Sequence, residues 1–211
     1  MIAFPAVLEG SMKKTIFGFL LFIFAAVAVA DGGFRQHGAD YVNHASSLVS
    51  RHLLAFENEP RLDLSSYLVR GEGAEKALAA DLLEMQAADG AGAEEQKNAA
   101  IAFSSRALSV IRTYTKMRMA NVSAGLTDRR VLEAERVWPL QTKPELKEAA
   151  FQRLQVARQE HQQALLELNH QRLALGMQCE LLLGANETVK TVFGNDKGLD
   201  AQTREFVKQF D

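Results

Sequence analysis

From position 144 to 184 the chain repeats one pattern. Apolar or small residues recur at Ala150, Leu154, Ala157, Leu165, Leu168, Leu175, Cys179 and Leu182, with His161 and Arg172 filling two gaps. Steps of three, four and seven predict a long helix with a narrow apolar stripe along one face. Charged and amide residues occupy its other faces, and no Gly or Pro falls between Glu145 and Leu175. At ~1.5 Å per residue such a helix reaches ~60 Å, and it is stable only when its stripe is laid on partner helices. The interaction seam expected from this pattern is Leu154, Ala157, His161, Leu165, Leu168, Arg172, Leu175, Cys179 and Leu182. Ala and Gln are frequent where a self-contained core would want larger apolar residues, so a protein partner or a second copy is expected to cover the seam.

The remaining chain also reads as helix. Tyr41, Ala45, Leu48, Val49, His52, Leu53 and Phe56 fall on one side of a first helix over 34–56, which Pro60 stops. Residues 61–70 fit either a short helix or a brief extended piece. Gly71-Glu72-Gly73 predicts a break, followed by a helix over 74–88. A long helix over 93–124 ends at Gly125 as a C-terminal cap, and Thr127 caps a further helix over 128–137. Trp138-Pro139-Leu140 ends that helix, and Pro144 suits the first turn of the long one. Beyond Gly184 the residues Asn186, Gly194, Asn195 and Gly198 predict a loose turn region, after which Asp200 caps a short final helix carrying Phe206, Val207 and Phe210.

No solenoid repeat and no sustained strand alternation is present, so the expected class is all-α. Short connectors between long helices imply antiparallel neighbours. The expectation is one elongated antiparallel bundle over 31–211, with 93–124 and 144–184 as its spine. Part of the coiled-coil-like 144–184 helix should project or meet another chain.

The N-terminal stretch has a different character. Lys13 and Lys14 precede an apolar run, and Ala28-Val29-Ala30 gives the small-x-small pattern of a cleavage point. Residues 12–30 therefore read as a secretory signal, Met12 as the true start, and the mature chain as periplasmic or secreted. The alternative is an inner-membrane anchor over 15–30, short of the ~20 residues a span needs. Membrane contact is expected only through this segment, and only if it stays uncleaved.

Composition adds exclusions. A formal charge of −2 over 211 residues gives no pull toward nucleic acid. The lone Cys179 allows no internal disulfide and reads as a small buried apolar residue on the stripe. His37, His44 and His52 are spaced seven and eight apart, about 10 Å, too far for one ion from one helix. Glu167 and His170 form one Glu-x-x-His motif, whereas di-metal bundles need two plus further Glu residues. His161, Glu167 and His170 are thus the weak metal candidates. His161 and Arg172, lying in the stripe, read first as a register-setting polar group and a snorkelling cation. There is no nucleophile elbow, phosphate loop or paired Cys motif. Neither an enzyme nor a cofactor is expected.

The signal followed by Gln-rich helices is similar to the minor pilus subunits of type IV secretion machines. The run from Leu132 to Gly176 resembles the helical repeats of outer-membrane efflux factors. Neither resemblance covers the chain or brings a specific motif. The membrane strands that an efflux barrel requires are missing from the pattern, and no functional residue is carried over. The expected function is a secreted periplasmic helical protein-interaction module, a component of an envelope-spanning secretion or conjugation machine. The alternatives are a metal-binding helical protein or enzyme, and a periplasmic chaperone or inhibitor.

Overall fold

The computed structural model describes residue 34 and residues 37–210, so the export signal and start position read at 12–30 lie outside the described residues. Among the described residues the fold is an all-α bundle without strands. Its elements are α1 (Gly38–Leu53), the single turn α2 (Ala55–Asn58), α3 (Leu64–Ala87), α4 (Glu94–Val137), a 3₁₀ turn (Trp138–Leu140), α5 (Pro144–Phe193) and α6 (Ala201–Lys208). None of these helices is long and apolar enough to cross a membrane.

The two long helices α4 and α5 pair antiparallel. Across the hairpin, Thr127 faces His161, Arg130 faces Glu160 and Glu135 faces Arg158. Near the turn the Trp138 and Phe151 rings lie 5.7 Å apart. Pro144 takes the first turn of α5, where its missing N–H costs no helical bond. α1 and α3 also run antiparallel to each other: the Tyr41 hydroxyl donates to Glu84 at 3.1 Å, and His44 Nδ1 lies 2.7 Å from Asp81. Both pack on the N-terminal half of α4, enclosing Val42, Val49, Leu78, Met85, Phe103 and Ile111. α6 packs against α1 and α5 and sets Phe206 and Phe210 edge-on to Tyr114. Asp200 caps it, accepting from the Thr203 N–H at 2.8 Å.

Past Ala124 the hairpin leaves the bundle. The buried residues there are Ala150, Leu154 and Ala157 on α5, while Ala120, Ala124 and Leu168 still belong to the main core. Among the described residues, the side-chain bonds between helices in that stretch all run between α4 and α5. From Gly125 to Val137 this two-helix arm extends ~20 Å.

Several helix ends expected from the glycines are absent. α3 runs straight through Gly71 and Gly73, α4 through Gly125 and Thr127, and α5 through Gly184 to Phe193. A methyl group at Gly73, Gly125 or Gly184 would meet nothing within 4 Å. These are solvent-side glycines, each costing about 1 kcal/mol against Ala, which packing on the opposite face outweighs. Gly71 differs. It is buried, and a Cβ there would stand 2.8 Å from Cε1 of His52, so the residue permits close helix approach and does not mark a break. Thr127 caps nothing. Its hydroxyl lies 3.0 Å from the carbonyls of Ser123 and Ala124 and 3.1 Å from His161 Nδ1. The stop falls at Gly194, whose φ of 112° suits glycine alone. The first helix is also shorter than the 34–56 pattern: α1 ends at Leu53, and α2 carries the chain into Pro60.

Candidate functional site

The stripe on α5 is largely filled from within. Leu154, Ala157, Leu168, Leu175, Cys179 and Leu182 are all buried, and α4 is the helix that lies along them. His161 is partly covered beside Thr127, while Leu165 and Arg172 sit at the edge and remain exposed. The seam as expected from sequence is therefore not a surface awaiting another chain. A single sequence does not reveal which of its own helices will cover a stripe, and α4 carries matching small residues at Ala120, Ala124 and Thr127. Cys179 is 1 % exposed and occupies a core position.

A second apolar stripe lies on the outer side of the same helix. Leu166, Leu173 and Met177 are 63 %, 73 % and 64 % exposed. Steps of seven and four put them on one face, roughly opposite Leu168 and Leu175. Gly184 continues that face seven residues beyond Met177. These residues carry the same helical periodicity as the buried stripe, so the sequence displayed both stripes together. The inner stripe is the more continuous of the two along the sequence.

The weak metal candidates are not brought together. His170 is exposed beside Glu167 at 3.9 Å on one turn of α5. His161 turns instead toward α4, with Nε2 3.9 Å from Asp128 and Nδ1 on Thr127. Among the described residues, no group of three or more His, Cys, Asp or Glu side chains stands close enough to share an ion.

The buried polar centre of the bundle is a different histidine. His52 on α1 is 4 % exposed. Its Nε2 lies 2.7 Å from the Tyr67 hydroxyl of α3 and 2.9 Å from Thr115 Oγ1 of α4. Thr115 in turn donates to the Ile111 carbonyl at 2.9 Å. Tyr67 stacks on the imidazole with ring centroids 4.5 Å apart, and Phe56 lies against the far side of Tyr67. Burial pushes the imidazole down to a pKa of about 4 and the Tyr67 phenol well above its ordinary value. Both groups are thus neutral at pH 7 and linked by hydrogen bonds, as buried polar groups must be. The sequence hint was a histidine on the apolar side of α1, which requires a polar partner from another helix.

This corner opens into a cavity of about 370 Å³ between α1, α2 and α3. Leu48, Ala55 and Ala74 give it apolar walls, His52 and Tyr67 line its inner part, and Arg51, Asn58, Glu59 and Arg70 surround it. Arg70 forms a two-pronged ion pair with Glu59. Arg51 bonds through Nε to the Ser47 carbonyl at 3.2 Å. Comparison with protein-family models, with curated proteins and with solved structures returns no match to this chain.

Proposed function

We propose that this chain is a helical protein-interaction module, exported behind residues 12–30 and acting in the cell envelope as part of a larger assembly. The outer stripe of α5 carries the reading. Three large apolar side chains stand exposed in one row on a helix whose other face is already covered by α4. Covering each is worth about 1.5–3 kcal/mol, and contiguous exposed apolar surface marks contact sites. The signal-like N-terminus supports a cell-envelope location.

The occupant that fits best is a second copy. Turned end for end about a two-fold axis near position 175, the stripe complements itself. Leu173 falls opposite Met177, Leu166 opposite Gly184, and His170 opposite Glu180. Gly184 has open space beside its Cα, which leaves room for the leucine. Self-complementarity of this kind is what a closed two-fold interface requires.

Sedimentation velocity on the chain from Asp31 onward tests the reading. The wild type is expected to sediment as an elongated dimer, and Leu173→Glu with Met177→Glu as a monomer of unchanged helicity. A wild type that stays monomeric at high protein concentration, or a double variant that dimerises as tightly, overturns it.

A further inference from the structure

We propose that the cavity between α1, α2 and α3 is a binding site for a small amphipathic carboxylate. The acid head would lie on Arg51 and the apolar body between Leu48, Ala55 and Ala74.

Four observations converge. The cavity volume of about 370 Å³ falls at the small end of the ~300–1,000 Å³ typical of small-molecule sites, so the guest is a fragment-sized acid. Its charge is asymmetric. Two guanidiniums, Arg51 and Arg70, face a single carboxylate, Glu59. Of the two, Arg70 is already held at both prongs by Glu59, while among the described residues Arg51 bonds through its Nε alone, to a backbone carbonyl. Its terminal nitrogens are the donors left for a ligand, and a guanidinium fork matches a carboxylate in two parallel bonds. The polarity is also graded. Charged groups line the cavity together with aliphatic walls, and the inner pair, His52 and Tyr67, is joined through the imidazole Nε2. A cation is disfavoured by the two arginines, and the cavity has one histidine and one carboxylate, too few ligands for a metal site.

The site is independent of the outer stripe on α5, so its test stands apart from the dimer's. The chain from Asp31 onward, labelled with ¹⁵N, is titrated with octanoate and in parallel with octanol and octylammonium. Octanoate is expected to shift the Leu48, Ala55 and Ala74 amides saturably. Octanol and octylammonium should bind at least ten-fold more weakly. Arg51→Gln, an exposed change that leaves the core untouched, should weaken octanoate at least ten-fold, and Arg51→Lys should recover part of the loss. Ala74→Val, which narrows the cavity, should weaken octanoate while leaving helicity unchanged; if it unfolds the bundle, the Arg51 pair decides. Equal affinity for octanol, unchanged affinity in Arg51→Gln, shifts confined to the Leu166–Met177 stripe, or no saturable shift at millimolar octanoate would each overturn the assignment.

Discussion

Replacing His52 by glutamine should remove a pH dependence from the stability of this fold. In the native chain burial lowers the imidazole from its ordinary 6.5 to about 4. The unfolded chain therefore takes up this proton first as pH falls. The native state holds its full His52 contribution above pH 6.5, and loses it progressively between 6.5 and about 4. At about 1.4 kcal/mol per tenfold change in proton affinity, the loss between pH 7 and pH 5 is about 2 kcal/mol. Glu59, Glu72 and Glu187 have carboxyls held below their usual range by Arg70, Lys76 and Lys190 respectively. They lose their contributions only at lower pH, so pH 5 is a clean lower point. His52→Gln should cost about 1–3 kcal/mol at pH 7, through lost stacking on Tyr67 and an altered hydrogen bond to Thr115. The informative quantity is the slope, not that offset. Urea unfolding followed by circular dichroism at pH 7, 6 and 5 supplies it. The wild type should weaken across the series by about 2 kcal/mol more than the variant. Equal weakening in the two proteins would mean that the imidazole is not buried in its neutral form, and would refute the packing described for this corner.

The two glycines of α3 should respond in opposite senses. Gly71→Ala drives a methyl group against the His52 ring and should destabilise by about 1–3 kcal/mol, whereas Gly73→Ala meets open space and should stabilise by about 0.5–1 kcal/mol in the same urea assay. Gly125→Ala should likewise raise the melting temperature; a fall would show that α4 bends or ends there. Asn186 is fully buried, with Oδ1 accepting from the Leu199 N–H at 2.7 Å. Asn186→Leu should cost about 1–3 kcal/mol by leaving that N–H unpaired, with faster hydrogen exchange confined to 194–200 and the start of α6.

Helical class, the antiparallel spine, the Pro144 start and the Asp200 cap were all legible in the sequence, because each rests on periodicity or on local backbone chemistry. The glycines misled. Gly71, Gly73, Gly125 and Gly184 have one local signature but two tertiary roles: a close approach in the case of Gly71, and harmless exposure in the others. Only the neighbouring helices distinguish them. The α5 stripe was equally readable, but its partner was not, since a periodic face does not state whether α4 or another molecule will cover it. The His52 corner depends on Tyr67 and Thr115, which lie 15 and 63 positions away. A spacing argument along α1 alone has no access to such a triad.

The order of elements along the chain has a bearing on how the fold is reached. α4 and α5 are joined by a few residues and touch along much of their length, so their pairing closes a short loop and can zip upward from the Trp138–Leu140 turn. α1 and α3 come off the ribosome earlier, yet the surface they need belongs to α4. Until that surface arrives, Val49, Tyr67 and Leu78 have no dry environment to enter. The nascent N-terminal third is thus the segment most open to proteases and to holding chaperones while the rest is being made.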